Sequence, residues 1–148
     1  MRGVVTRVKK ACVEIDGAVH SQIGTGLLVL LGVCDTDGKE DAEYMAKKIG
    51  ETRIFSDSED KMNLACHQVG GEIMVVSNFT LYGDTRKGNR PSFIAAARPE
   101  KAEPLYEYFC SLLRERGYTV KTGVFGADMQ LMSVNDGPVT LVIDSPQG

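Results

Sequence analysis

The residues best placed for chemistry in this sequence are four consecutive ones, Ser77, Asn78, Phe79 and Thr80. They lie at the end of an apolar segment, residues 72–78, that predicts a buried strand, and a glycine-containing loop follows. Backbone N–H groups released at a strand end can form an oxyanion hole, which stabilises the charge that develops on a carbonyl oxygen during hydrolysis. The alternative is that the two hydroxyl groups only make local turn hydrogen bonds.

A second unusual feature is the dipeptide Gly137-Pro138, which lies between the apolar runs 131–134 and 139–144. Both runs are rich in β-forming residues, so a turn between two strands is expected. Proline removes a backbone donor at the start of the second strand. Because only about 5–6% of X-Pro bonds in folded proteins are cis, local rules favour a trans bond here.

Positive charge is concentrated in one short segment that contains Arg86, Lys87 and Arg90. The net charge of the chain is −3, which excludes a simple cationic nucleic-acid binder. Any contact with RNA must therefore come from a local patch, and this segment is the best candidate for holding phosphates. A solvated loop is the other interpretation of the same charges.

Other catalytic arrangements have weaker support in the sequence. The two histidines, His20 and His67, lie far from any G-x-S-x-G motif, so a Ser/His esterase would have to be assembled by the fold. The pair Gly24 and Gly26 precedes a strand instead of following one, which does not fit a dinucleotide loop. No metal-binding motif is present, and we expect neither a metal nor a cofactor.

The four cysteines are widely spaced and lie among apolar neighbours. No C-x-x-C pair is present, so buried, reduced thiols are expected at Cys12, Cys34, Cys66 and Cys110. The beginning of the sequence has no signal-peptide pattern, and no apolar stretch approaches the ~20 residues of a membrane span. These features predict a cytoplasmic protein that does not associate with membranes.

The elements that must position these residues alternate between strand and helix periodicity. We predict strands at 2–9, 11–15, 18–23, 27–33, 53–55 and 72–78, and two or three more between 118 and 143. Helical spacing predicts helices at 37–50, with Gly50 as C-cap, and at about 99–116. The first strands predict a meander. The fold class is α/β of the α+β type: one domain, residues 1–148, with a mixed, mostly antiparallel sheet or barrel-like core and two main helices.

Several of these segments together resemble the D-aminoacyl-tRNA deacylase (D-tyrosyl-tRNA deacylase) family. The resemblance rests on residues 77–80, on Arg90-Pro91-Ser92-Phe93 and on residues 135–140, Asn-Asp-Gly-Pro-Val-Thr. Residues 53–57, 61–64 and 122–127 match as well, in the same order. The resemblance covers essentially the whole chain, so it implies the fold of that family.

The resemblance also implies a reaction and an assembly. The reaction is hydrolysis of the ester that joins a D-amino acid, or glycine, to the terminal adenosine of tRNA, without metal or cofactor. The assembly is a homodimer with its active site at the subunit interface. In that family the Gly-Pro bond is cis, and the dipeptide enters the partner's active site. Its carbonyl oxygens occupy the space that an L side chain would need.

The same resemblance assigns roles to individual residues. The N–H groups around Phe79 would bind the substrate carbonyl. Thr80 would either act as the nucleophile or only position the substrate, in which case the substrate's own 2′-hydroxyl assists the attack by water. We favour the second role, because no histidine or lysine is available to activate Thr80. Arg7 would orient the carbonyls of Gly137 and Pro138. Arg86, Lys87 and Arg90 would contact tRNA.

The sequence departs from the family pattern at one position. The motif usually reads Ser-Gln-x-Thr, whereas Asn78 stands here in place of glutamine and reaches about 1.5 Å less far. If the backbone performs the chemistry, this difference has little effect and the enzyme is active. If the side chain is needed, the chain is a catalytically impaired tRNA-binding module.

Overall fold

A computed structural model describes residues 1–146, so the last two residues of the predicted domain lie outside the described part. One long strand, β1 (Arg2–Ile15), organises the sheet. It pairs antiparallel with β2 (Ala18–Ile23) and β3 (Gly26–Gly32) along one edge and with β8 (Gln130–Asp144) along the other. The predicted break after residue 9 was therefore wrong, and the predicted meander is replaced by an arrangement in which β2 and β3 each pair with β1.

The sheet continues from β3 through two parallel pairs. β3 pairs with β6 (Glu72–Ser77), and β6 pairs with β7 (Val120–Thr122). Parallel neighbours need crossover connections, which here contain the helices α1 (Lys39–Glu51) and α2 (Pro99–Glu115). The predicted α+β class, with a mixed and mostly antiparallel sheet and two main helices, is confirmed.

Four short elements complete the described chain. The strands β4 (Phe55–Ser56) and β5 (Met62–Leu64) form a small antiparallel hairpin. Single 3₁₀ turns cover Cys66–Val69 and Phe79–Tyr82. Neither long helix combines the length and the apolar character that a membrane span requires within residues 1–146.

The core lies on both faces of the sheet. On one face, Ile73 and Val75 of β6 join the cluster that both helices cover. On the other face, Met74 and Val76 pack with Met129 and Leu131, which lie at and just before the start of β8. Burial on both faces explains why the sequences of β3 and β6 are continuous apolar runs instead of alternating ones.

The end of α1 differs from its prediction. Gly50 lies inside the helix, and Thr52 forms the C-cap. The Tyr118 hydroxyl donates to the carbonyl oxygen of Gly50 at 2.6 Å, and a Cβ on Gly50 would lie 3.4 Å from the Tyr118 ring. Gly50 is therefore an internal helix residue and not a left-handed cap, and a Cβ there would make ordinary van der Waals contact with the ring.

The contact between β3 and β6 leads to a stability prediction. A Cβ on Gly26 would lie 1.8 Å from the carbonyl oxygen of Glu72, whereas a Cβ on Gly24 would meet nothing within 4 Å. We expect Gly26→Ala to lower the free energy of unfolding by about 3 kcal/mol, because the paired strands must separate. Gly24→Ala, the matched control, should change it by less than about 1 kcal/mol. Urea unfolding measures both, and equal midpoints would contradict the prediction.

Candidate active site

The four residues singled out in the sequence form the junction between β6 and a 3₁₀ turn. The N–H of Asn78 donates to the carbonyl oxygen of Leu31 at 2.8 Å, which extends the β3–β6 ladder by one bond. The Asn78 side-chain oxygen accepts from the Thr80 N–H at 3.2 Å and from the Thr80 hydroxyl. Asn78 therefore caps the turn, which is a role that asparagine performs well.

This capping leaves one backbone donor free. The N–H groups of Leu81 and Gly83 donate to carbonyl oxygens inside the turn, at 3.4 and 2.9 Å. The Asn78 side chain binds the N–H of Thr80. The N–H of Phe79 donates to no acceptor within the described residues. A free N–H at the start of a turn is the kind of donor that an oxyanion hole uses.

The junction opens into a cavity of about 510 Å³, a volume suited to a small-molecule ligand. Its walls are mostly apolar and come from three parts of the chain: the end of β6 with the junction, the segment before and at the start of α2, and the loop before β8. The lining includes Val76, Ser77, Asn78, Phe79, Ala97, Pro99, Ala102 and residues 125–129. Neither histidine and no lysine or arginine lines it.

The wall at residues 125–129 was missed as a functional element. The N–H of Ala127 donates to the carbonyl oxygen of Val124, and Gly126 has a φ of 77°, so the segment forms a tight turn. The Phe125 ring packs 6.1 Å from the ring of Tyr106 on α2. The available signal was the Thr-Gly-x-Phe-Gly-Ala match at residues 122–127, which was used only for the resemblance.

Arg2, also missed, supports the junction from behind. Its Nη1 donates to the carbonyl oxygen of Leu81 at 3.1 Å, and its guanidinium lies 5.2 Å from the ring centre of Tyr82. A third contact, 2.8 Å long, joins its Nε to the carboxylate of Asp144. One side chain thus connects β1, the 3₁₀ turn and the end of β8.

Thr80 lies beside the cavity without lining it. Its hydroxyl donates to the side chain of Asn78, and this amide oxygen cannot remove a proton. His67 instead uses its backbone N–H to bind the Tyr118 hydroxyl at 3.1 Å, and His20 lines a different cavity. A Ser/His arrangement is therefore not formed at the junction.

The dipeptide Gly137-Pro138 has a cis peptide bond, and Gly137 has a φ of 127°. It does not form a turn between two strands, as the local sequence indicated. Val8 pairs with Asn135 and Thr6 with Thr140, so residues 136–139 of β8 form a bulge opposite Arg7. The resemblance, and not the local rules, gave the observed isomer.

Arg7 contacts this bulge at Asp136, one residue before the Gly137-Pro138 dipeptide that the resemblance assigned to it. Its Nε donates to the carbonyl oxygen of Asp136 at 3.1 Å and lies 3.5 Å from the Asp136 carboxylate. Its Nη1 donates to the carbonyl oxygen of Ile54 at 2.7 Å. The contact therefore fixes the start of the dipeptide against the β4 region, and the carbonyls of Gly137 and Pro138 are not its acceptors.

The bulge and the cavity lie in different parts of one chain. The register aligns Ser77 with Leu31, Leu31 with Gly3 and Gly3 with Ile143, which places Ser77 three strands away from β8. Three strand spacings amount to about 14 Å across the sheet, and the four residues from Gly3 to Arg7 add about 13 Å along β1. Consistent with this separation, neither Gly137 nor Pro138 lines the cavity.

The basic segment forms a loop beside the junction. Asp84 and Ser92 pair across its base, and the Phe93 ring packs edge-on against Phe79 at 5.2 Å. Arg86 contacts the carboxylate of Asp84 at 2.7 Å, and this contact lowers the pKa of Asp84 to about 2. Arg86 is therefore already paired, whereas Lys87 and Arg90 extend from the exposed part of the loop.

Comparison with known proteins identifies the family. The family model described as D-Tyr-tRNA(Tyr) deacylase matches residues 4–144, which is nearly the whole chain. The chain belongs to this family. A D-aminoacyl-tRNA deacylase from Chloroflexus aurantiacus is 60% identical over 99% of the chain and 92% of its own length. A D-aminoacyl-tRNA deacylase from Anaeromyxobacter dehalogenans is 59% identical over 98% of the chain and 97% of its own length.

Solved structures show the same fold as this deacylase. A protein titled c-Myc DNA Unwinding Element Binding Protein superimposes with a TM-score of 0.93, 41% identity and 99% coverage of both chains. A probable eukaryotic D-amino acid tRNA deacylase matches with a TM-score of 0.84 at 18% identity, over 97% of this chain and 98% of its own. The chain is accordingly an enzyme, a hydrolase of the deacylase family.

The free donor at Phe79 leads to a prediction about Asn78 in this deacylase. Asn78→Gln keeps the amide on a longer side chain and at most removes the cap of the turn, worth about 1 kcal/mol, so we expect kcat/KM to change less than tenfold. The loss of a cap, as in Asn78→Ala, costs about 1 kcal/mol of turn stability. Steady-state deacylation measures both variants. A change beyond tenfold in Asn78→Gln, in either direction, would show that the side chain itself contacts the substrate or the attacking water.

Proposed function

We propose that this deacylase hydrolyses D-aminoacyl-tRNA in the cytoplasm and releases the free D-amino acid and tRNA. The observation that carries the proposal is the unpaired N–H of Phe79 in a residue that lines a cavity of about 510 Å³. No histidine, lysine or arginine lines the cavity, and its Ser77 hydroxyl and Asp128 carboxylate have no imidazole or ammonium beside them in that lining, so we assign its chemistry to binding of the carbonyl oxygen. An aminoacyl ester is a reactive substrate for which such stabilisation is effective.

In the proposed reaction the Phe79 N–H donates to the ester carbonyl oxygen as negative charge develops there. A water oxygen forms a bond to the carbonyl carbon, assisted by the 2′-hydroxyl of the terminal ribose. The bond between that carbon and the ribose 3′-oxygen then breaks. The ribose 3′-oxygen takes up one proton of the attacking water, the other proton passes to solvent, and the amino acid leaves as a carboxylate. Asn78 and Thr80 keep the turn in shape and take no part in bond breaking.

The role of Thr80 can be tested with an isosteric variant. Thr80→Val removes the hydroxyl that donates to Asn78, a contact worth about 1 kcal/mol, so kcat/KM should fall less than about tenfold. If Thr80 were the nucleophile, the loss would be about a thousandfold or more. The control for hydroxyl removal away from the cavity is Ser111→Ala. It removes a hydroxyl on α2 that donates a hydrogen bond to the backbone carbonyl oxygen of Tyr108.

Selection against L-amino acids would come from Gly137 and Pro138 of a second copy of the chain. In one chain the dipeptide lies far from the cavity along the sheet, so it can act there only across a dimer interface. β8 offers such an interface, because it pairs only with β1 within residues 1–146. It also exposes Met132, Val134 and Val142 by 45%, 43% and 64%. Unpaired strand edges with apolar side chains favour association with another strand.

In this dimer the carbonyl oxygens of Gly137 and Pro138 would occupy the space that an L side chain requires. A D side chain points elsewhere and is accepted. Glycine has no side chain to exclude, so glycine mischarged on tRNA-Ala would also be hydrolysed. Arg7 contributes by fixing Asp136, the residue that leads into the dipeptide. Lys87 and Arg90, with the paired Arg86, would contact the tRNA next to the cavity.

The decisive assay compares D-Tyr-tRNA with L-Tyr-tRNA. The unmodified protein should release D-tyrosine and spare the L ester. Arg7→Ala should raise L-tyrosine release by about tenfold or more. The bulge at residues 136–139 then loses its hydrogen bond to the Arg7 guanidinium, and a bond to a charged group is worth ~1.5 kcal/mol or more. Arg2→Lys is the matched control on the same strand, since it keeps a cation near Leu81 and does not touch the bulge.

Two outcomes would contradict the proposal. Binding of D-Tyr-tRNA without release of tyrosine would mean that the chain is a tRNA-binding module with impaired catalysis. Loss of activity in His67→Ala would instead support a Ser/His esterase. Sedimentation of the unmodified protein tests the dimer separately, because a monomer that still spares L-Tyr-tRNA could not use the dipeptide of another copy.

A further inference from the structure

A second cavity, of about 430 Å³, lies at the C-terminal end of α1 and is rich in positive charge. Its lining consists of Tyr44, Lys47, Lys48, Glu51, Thr52 and Arg53. The carboxylate of Glu51 is paired with Arg116 at 3.2 Å, so it does not offset the three cations fully. The Lys48 ammonium lies 5.6 Å from the ring centre of Tyr44, in a cation–π contact.

This basic cavity is held close to the Gly137-Pro138 bulge. Arg53 precedes Ile54, whose carbonyl oxygen accepts from the Arg7 guanidinium at 2.7 Å. The same guanidinium donates to Asp136 at 3.1 Å. Arg53 is fixed as well, because its Nε donates to the carbonyl oxygen of Asn63 at 2.7 Å. One side chain therefore joins the rim of the basic cavity to the residue that leads into the dipeptide.

We propose that Lys47, Lys48 and Arg53 bind phosphates of the tRNA whose aminoacyl end occupies the partner subunit's cavity. The inference rests on the proposed dimer, in which the dipeptide enters that cavity. In that dimer the basic surface next to the dipeptide would lie at the mouth of the partner's cavity, where the rest of the tRNA extends away from its aminoacyl end. Lysine ammonium groups are compact point charges that bind phosphates without reading sequence.

The proposal gives each tRNA two basic contacts from different subunits. The loop with Lys87 and Arg90 lies beside the cavity of its own subunit, next to Phe79 and Phe93. The cavity with Lys47, Lys48 and Arg53 would approach from the other subunit. Two local patches of this kind allow an acidic protein of net charge −3 to hold a polyanion.

The first test compares a full substrate with a minimal one. The variant is Lys47→Gln/Lys48→Gln, and the control is Lys121→Glu, which lowers the net charge by the same two units from an exposed position on β7. At about 0.15 M salt the variant should raise KM for D-tyrosyl-tRNA about tenfold with kcat retained. The dependence of log KM on log salt should become shallower by about 2, or about one unit for each phosphate contact removed.

The minimal substrate is D-tyrosyl-adenosine, which has no phosphates beyond the reacting end. Its kcat/KM should be unchanged in the variant. Equal effects on both substrates would mean that the substitutions disturb the cavity itself, and this would overturn the proposal. A KM for D-tyrosyl-tRNA equal to that of the Lys121→Glu control would overturn it too.

The second test asks which subunit supplies the cations. Ala127→Trp fills the wall of the reaction cavity, and its homodimer should be inactive but dimeric. In a mixed dimer of Ala127→Trp with Lys47→Gln/Lys48→Gln, the single open cavity receives intact lysines from the other subunit, so KM should be normal. In the second mixed dimer, one subunit carries Ala127→Trp, Lys47→Gln and Lys48→Gln and the other is unmodified. The open cavity of the unmodified subunit then faces a partner without the lysines, so KM should rise about tenfold.

The reverse pattern in the two mixed dimers would show that the lysines serve their own subunit, and this would overturn the inference alone. Failure of the unmodified protein to release D-tyrosine, or its sedimentation as a monomer, would overturn the proposed function on which the inference rests. The two failures are therefore distinguishable in the same set of preparations.

Discussion

The Arg7 guanidinium is the contact on which the arrangement of this deacylase depends most. It lies on the central strand and joins two backbone oxygens from distant parts of the chain, those of Ile54 and Asp136. Without it, the bulge in β8 would be anchored only by the strand pairing on either side. Since a planar guanidinium holds its donors in a fixed fork, the angle at which the bulge leaves the sheet is determined as well.

Strand β1 connects this bulge to the junction at Ser77. Arg7 lies near its middle, and Arg2 at its start binds the turn that follows the junction. The strand pairs with β3, which pairs with β6 and so reaches Ser77. The bulge and the junction are therefore parts of one hydrogen-bonded sheet, and any movement of one relative to the other must deform that sheet. Such rigidity suits the proposed selection, which depends on excluding a side chain by position.

Much of this arrangement was predictable from the sequence, and the failures have physical causes. The junction at Ser77 and the apolar runs of β3 and β6 followed from local patterns. The bulge at Gly137 was misread as a turn because turn residues and bulge residues are the same types, and only pairing with β1 distinguishes them. Arg2 was missed because its partners lie about 80 and 140 residues away in sequence. The isomer at Pro138 came from resemblance alone.

The donor at Phe79 belongs to the main chain, and this limits which mutations can remove it. Any residue except proline at this position supplies an N–H. A phenylalanine codon does not become a proline codon by one base change, so no single-nucleotide mutation of this codon to another amino acid deletes the group. Enzymes that rely on a catalytic side chain have no such protection. If the Phe79 N–H binds the substrate carbonyl as proposed, the essential group of the reaction centre therefore resists single-nucleotide mutation in a way that a side chain such as that of Asn78 does not.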